Sequence, residues 1–316
     1  MRFKTLYSTK NGAYVYSTIM PDGGKPAGLF WHSTGADNPW VMRYAGDSTT
    51  KDTLIGANPN NNGFQQTTDK NAKNSKGETV PCPNAVMGLG TDGKMLTVKT
   101  LPDNYCPWCS GTGNLALAQK NGFSKNSANF LGFYQVEVCE DIKCTGTVYG
   151  RKNPYTPKEY ADLCYKEMVK FSIEFFNAFF KGDPSKVTTR TLTSHAEASL
   201  MGIASNHADP WHWLGKYGYS GNTLRADVKK GLQNTIAPPP SRPLKVGDTV
   251  TITAPYATSA YAAKTSAKAA VGQARVITKI YSGAGVTFPY QLGVKPNNTS
   301  SNNTTGFAKL SGVKPK

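Results

Sequence analysis

Histidine is scarce in this chain, with four among 316 residues. Acid is also short: 20 Asp and Glu stand against 36 Lys and Arg, a formal net charge of +16. No apolar run approaches the ~20 residues that a membrane-spanning helix needs, so membrane insertion is excluded. The opening residues, Met1 to Lys10, carry basic side chains without an apolar stretch. No secretory signal is therefore expected, and synthesis in the cytoplasm is. Cysteine is missing from both ends: all six, Cys82, Cys106, Cys109, Cys139, Cys144 and Cys164, fall in the middle of the chain. Without a secretory signal they are expected to be reduced. The basic residues form no run and accompany no zinc-finger or RNA-binding signature, so nucleic acid is not the expected partner. Attraction to some other polyanion is.

What is present is a concentration of metal-binding chemistry. Three of the four histidines, His195, His207 and His212, lie in one stretch with Asp209, Trp211 and Trp213. The fourth, His32, stands far upstream before Ser33-Thr34-Gly35. A distant histidine with a His/Asp cluster supplies the imidazole nitrogens and carboxylate oxygen that zinc takes, and a catalytic zinc uses three such ligands with a fourth position open. Ordinary surface or core histidines are the alternative, since no helical His-Glu-x-x-His pair enforces local geometry. Cys106-x2-Cys109 with Cys139-x4-Cys144 suggests a second, thiolate site less strongly than it suggests buried free thiols.

Along the chain, residues 13–20 read as a short strand and 29–32 as an apolar strand ending on His32, where a sheet fixes a ligand while the next turn stays open. Residues 37–47 read as a first helix or turn, and 46–80 as a long exposed loop. Strands are expected at 80–87 and 94–101 around a turn at 90–93. Residues 102–128 read as irregular, and 130–138, aromatic and β-branched, as a central strand. Glu137 interrupts that strand; a carboxylate there is costly unless paired or put to use. Thr156-Pro157 caps a helix reaching about Phe180, with Tyr160, Leu163, Cys164, Met168, Phe171, Phe175 and Phe179 as its core stripe. A short strand at 187–192 and a closing helix at 214–232 follow. The expected fold is α/β, a mixed central sheet flanked by helices, over residues 1–236.

The Pro-rich segment 237–244 reads as a stiff linker. Residues 245–316 show short β-like runs at 248–254, 274–281 and 290–294, the pattern of a small all-β barrel. This segment holds nine Lys/Arg against the single acid Asp248, a net +8. Residues 297–305 contain glycosylation-like triplets, expected to be only a polar loop.

Three motifs carry a family resemblance: Phe30-Trp31-His32-Ser33-Thr34-Gly35, Gly132 to Asp141, and His195-Ala196-Glu197 through Gly202 to Pro210 with His212-Trp213. Leu101-Pro102 and Cys106-Pro107-Trp108 add a weaker match. The chain resembles zinc-dependent N-acetylmuramoyl-L-alanine amidases of the peptidoglycan-recognition-protein fold, and among them phage endolysins of Gram-positive hosts. The tail, Val246 to Val250 through Gly306-Phe307-Ala308, resembles SH3-like wall-binding repeats.

The resemblance implies zinc ligands His32, His195 and Asp209. It implies a catalytic carboxylate at Glu137, with Glu140 as runner-up, and an oxyanion-facing His207. Trp40, Trp108, Trp211 and Trp213 would line a sugar-peptide groove or pack internally. His212 would be supporting or structural, and Glu197 a supporting partner or a helix cap. The implied partners are bacterial peptidoglycan and anionic wall polymers, met after a separate membrane-permeabilising protein opens the way; a monomer is assumed, since nothing in the sequence sets the oligomeric state. A relative that binds peptidoglycan without cutting it, or a zinc peptidase on the same fold, are the alternatives. Asp209, the third ligand, favours an enzyme.

Overall fold

In the computed structural model of the chain, period-two alternation along two neighbouring strands sets the architecture. Strands β1 (Phe3–Thr5), β2 (Gly28–Ser33), β3 (Ala85–Leu89), β4 (Met95–Lys99), β5 (Phe133–Val138) and β6 (Leu192–Ser194) form a mixed sheet in the order β1-β4-β3-β5-β2-β6. Only the β3–β4 pair is antiparallel, joined by the 90–93 turn; the other pairs are parallel. The structure describes residues 1–16, 18–58, 63–64, 81–147, 150–236, 244–253, 256–260, 271–282, 286–295, 304–308 and 313–315, of which 234–236 and 313–315 are described by backbone alone. Most of the expected loop after 58, the linker over 237–243 and much of the 297–305 loop lie outside these residues.

One face of the sheet is apolar. Leu29, Trp31, Tyr134, Val136 and Val138 meet Tyr160, Cys164, Met168, Phe171, Phe175 and Phe176 of the Pro157–Phe180 helix. That helix starts as its sequence dictates: Pro157 takes the first turn, and Thr156 and Glu159 close a reciprocal capping box. It ends on Lys181 in the left-handed conformation. The Gly221–Ile236 helix adds Leu224, Val228 and Leu232 to the same core.

The opposite face is divided. Val86, Leu96 and Val98 pack with Val41, Tyr44 and Ile55 at one side, and Phe30 and Phe133 with Ala198, Ile203 and Ala204 at the other. Between them runs a buried polar strip: His32, Gln135 and Glu137.

Several expectations are corrected here. Residues 13–20 are not a strand; Gly12–Val15 is a helical turn, because the buried Asn11 side chain caps it through Ala13 N–H. The 102–128 segment holds a helix, Leu115–Lys120, begun by an Asn114 cap. Gly132, left-handed at φ 81°, splits the expected 130–138 strand into a helical turn, Ala128–Leu131, and β5. The strand expected at 187–192 is only Leu192–Ser194, since residues 188–191 turn back on themselves, with Thr191 N–H and Leu192 N–H both donating to the Thr188 carbonyl. The closing helix starts late, at Gly221, because Gly218 turns left-handed before it.

The chain divides into two compact units between Ala237 and Pro238. In the second, β7 (Thr249–Ile252), β8 (Ala274–Ile280), β9 (Tyr290–Gly293), β10 (Thr304–Ala308) and β11 (Val313–Pro315) form an antiparallel sheet in the order β10-β9-β8-β7-β11. Val250, Ile252, Tyr256, Ile277 and Leu292 give it a core of its own. Among the described residues no helix is long and apolar enough to cross a membrane.

Candidate metal centre

His32 and Glu137 are register partners on β2 and β5, so both stand on the polar strip. Trp31 pairs with Ser194 at the end of β6, and the next residue, His195, opens the short helix His195–Leu200 beside His32. Ser194 caps that helix through the Glu197 N–H. The loop that follows returns Asp209 to the same place. Its carbonyl accepts from Ala196 N–H at 3.1 Å, and its Oδ2 accepts from Ser33 N–H at 3.0 Å.

The outcome is a buried cluster of three. His32 Nδ1 lies 3.0 Å from His195 Nδ1, His195 Nδ1 lies 3.3 Å from Asp209 Oδ1, and His32 Nδ1 lies 3.7 Å from Asp209 Oδ2. Among the described residues, this is the group of His, Cys, Asp and Glu whose ligand atoms converge closely enough to hold a metal ion. Ligands at ~2.0–2.1 Å around a tetrahedral ion stand about 3.3 Å apart, which these separations bracket. Asp209 Oδ1 is buried without a hydrogen-bond partner. An acceptor oxygen buried beside two imidazole nitrogens that turn lone pairs toward it is unfavourable unless a cation sits among them. The donor set therefore fits a divalent metal of the imidazole-and-carboxylate class.

The electrostatics agree. Burial, and then the neighbouring His195, push the His32 pKa down to about 3, so its ring is neutral and able to ligate. Burial would raise the Asp209 carboxyl, but His195, His32 and the Ser33 N–H outweigh it and hold the group below its usual range, ionised. Each imidazole turns its Nε2 away from the cluster to an oxygen, His32 to Gln135 Oε1 at 3.0 Å and His195 to Ser205 Oγ at 3.2 Å. Phe30 stacks on His32 with ring centroids 4.2 Å apart, closing that side to water.

The two candidate carboxylates differ in what occupies them. Glu140 is engaged: Oε2 accepts from Ser33 Oγ–H at 2.7 Å and Oε1 lies 3.1 Å from His212 Nε2. That contact holds the His212 pKa above its ordinary value. Glu137 Oε2 is buried with no partner. Burial, then the charges of Asp209 and Glu140, push its pKa well above the usual carboxylate range. Of the two, Glu137 is the one available to exchange a proton. His207 is exposed, stacked on His195 with centroids 4.5 Å apart, its Nδ1 3.8 Å from Asp209 Oδ1.

The tryptophans separate. Trp213 and Trp40 are 1% and 3% exposed within the main core, so neither lines a groove. Their large rings fill the core instead, Trp213 stacking on Tyr160. Trp211 and Trp108 are half-buried, and Trp211 donates Nε1–H to Ser194 Oγ at 2.7 Å, next to His195. Glu197 belongs to the helix start and to Arg225, which it grips at 2.7 Å and 3.1 Å. All six cysteines are free thiols. Burial first, then the charge of Glu137, pushes the Cys109 pKa well up, leaving a protonated thiol.

Gln135, Ser205 and Ser33, which touch the cluster, escaped the sequence reading. Gln135 carried a signal: it is the second polar residue, two before Glu137, in an otherwise apolar strand. No family model, curated protein or solved structure matches this chain.

Proposed function

We propose that the first unit is a zinc-dependent amide hydrolase, and that its substrate is the amide between N-acetylmuramic acid and L-alanine of the peptidoglycan stem peptide. One observation carries the hydrolytic reading: Glu137, whose buried Oε2 has no hydrogen-bond partner, stands on the same buried strip as the three-ligand cluster. The choice of amide rests on the resemblance of the His32, Glu137 and His195–Asp209 motifs to the amidases.

A zinc ion held by His32, His195 and Asp209 would supply Lewis acidity, polarising the scissile carbonyl and making water acidic enough to attack at neutral pH. Glu137 takes the proton of the attacking water; its raised pKa suits it to hold that proton and pass it to the leaving amine. His207, exposed beside the cluster, donates toward the oxygen that gains charge. Phe30 and the buried floor keep bulk water from the ligands.

The second unit is read as an SH3-like wall-binding domain. Its antiparallel sheet with a separate core suits that reading, and the net +8 of residues 245–316 suits an anionic wall polymer. Such binding weakens as salt shortens the Debye length from ~10 Å toward ~3 Å. The whole would act on the wall of a Gram-positive host after release from the cytoplasm, as a phage endolysin does.

Digestion of purified peptidoglycan, with products identified by mass spectrometry, tests this. Intact glycan strands and stem peptides with a free L-alanine amine are expected from the protein, and neither from Glu137→Gln. Cuts within the stem would make it a peptidase. Wall binding by a zinc-loaded protein that releases nothing would make it a binding protein.

A further inference from the structure

The two ligand histidines are tied to each other from behind. His32 Nε2 meets Gln135 Oε1, and Gln135 Nε2 donates to Asn129 Oδ1 at 2.9 Å. The same Asn129 oxygen accepts the backbone N–H groups of Cys109 at 3.2 Å and Ser110 at 3.1 Å. The Ser110 carbonyl then accepts from Ser205 N–H at 2.9 Å and Ser205 Oγ–H at 3.3 Å, and Ser205 Oγ meets His195 Nε2. Asn129, Ser110 and Gln135 are all buried.

The backbone orients these bonds. Two main-chain N–H groups aim at one Asn129 atom, so that atom is the oxygen. Gln135 must then turn its NH₂ toward Asn129 and its carbonyl toward His32, so His32 carries its proton on Nε2. Ser205 donates to a main-chain carbonyl, so its hydroxyl oxygen accepts from His195, whose proton also sits on Nε2. Both Nδ1 lone pairs are thereby turned into the cluster, 3.0 Å apart and beside the Asp209 carboxylate, so the bonds behind the rings hold the two nitrogens against their mutual repulsion until a cation joins them.

We infer that Asn129, anchored by the Cys109–Ser110 backbone, is a positioning residue that sets the tautomer of both ligand histidines before any ion binds. No motif of the sequence pointed to it. Its short side chain lies on the helical turn just before Gly132, where the chain enters β5, which is what lets it reach both Gln135 and the 109–110 segment. The inference rests on reading His32 and His195 as ligands, but its first measurement needs no metal.

The test uses the full chain as wild type, Asn129→Leu, Asn129→Asp and Gln135→Leu. Two-bond proton–nitrogen spectra of the metal-free proteins report each imidazole tautomer, and competition with a chromophoric chelator gives zinc affinity. Expected in the wild type are two Nε2–H histidines, at positions 32 and 195. Asn129→Leu mixes the tautomers of both and weakens zinc about 10- to 100-fold. Asn129→Asp, which keeps an oxygen in place, restores both tautomers.

A merely structural role for Asn129 would lower thermal stability and leave tautomers and zinc affinity unmoved, and that result overturns the proposal. Should Asn129→Leu fail to fold, Gln135→Leu breaks only one arm: it must scramble His32 while sparing His195, and an unchanged His32 spectrum overturns the proposal as well. A wild type that takes up no zinc yet shows both Nε2–H tautomers would sink the metal reading and leave this one standing.

Discussion

Trp31 and His32 are adjacent in sequence and lie on opposite faces of one sheet, as do Val136 and Glu137. Trp31 and Val136 enter an apolar core beneath the Pro157–Phe180 helix. His32 and Glu137 enter a buried polar strip on the other side. Both faces exclude water, so burial alone does not distinguish core from site. What differs is chemistry: the buried atoms left without a hydrogen-bond partner in the apolar core are indole N–H donors, Trp40 Nε1 and Trp213 Nε1, whereas on the polar face they are carboxylate oxygens, Asp209 Oδ1 and Glu137 Oε2. One face gives the fold its rigidity, and the other uses it to hold reactive groups still.

Substitutions on the two faces should therefore separate stability from activity. His195→Ala, on the polar face, should abolish zinc uptake and peptidoglycan hydrolysis while the chain still folds; metal analysis and the digestion assay check both halves. Trp31→Ala, on the apolar face, should lower stability by about 3–5 kcal/mol, read by urea unfolding, because a fully buried ring leaves a cavity. If His195→Ala unfolds the metal-free protein as severely as Trp31→Ala does, the contrast between the faces is broken.

Two smaller effects sharpen it. Glu137→Gln should stabilise the metal-free protein by roughly 1–3 kcal/mol at neutral pH, since it removes an ionisable group that is buried with Oε2 unpartnered. The folded-state pKa of Glu137 lies above its ordinary 4.5, so the wild type regains this stability as pH falls and the group protonates. The difference between variant and wild type should vanish near pH 4.5, measured by thermal melts across pH.

His32 has the opposite sign. Its folded pKa of about 3 lies below the ordinary 6.5, so between these values the unfolded chain takes a proton that the fold refuses. From this residue alone, stability of the metal-free protein should fall as pH drops from 6.5 toward 3. The slope is at most about 1.4 kcal/mol per pH unit, and His32→Gln should remove it.

Much of this was legible in the sequence because it is local. The Thr156–Glu159 cap and the aromatic spacing that follows specify a helix and its buried stripe without reference to anything distant. Glu137 stood out because a carboxylate in a strand of Phe, Tyr and Val conflicts with its surroundings. Residues whose role depends on distant partners were not legible. Asn11 caps a turn where a strand was expected, and it is buried there because its NH₂ reaches the Phe64 carbonyl. Trp40 and Trp213 resemble groove-lining residues in composition, and only packing places them inside.

The sequence by itself determined which side chains could bind a metal, since four histidines in the chain leave little choice. It also determined the faces of the central strands, since alternation is a local property of extended backbone. Only the tertiary structure decided that three of those groups meet within 4 Å. Parallel pairing of β2 with both β5 and β6 brings residues over a hundred positions apart into one register. It alone also decided which ring nitrogen each histidine presents, because that is set by the hydrogen bonds made behind the ring, from Asn129 and the 109–110 backbone. Spacing in a sequence carries no information about those bonds until the strands have paired.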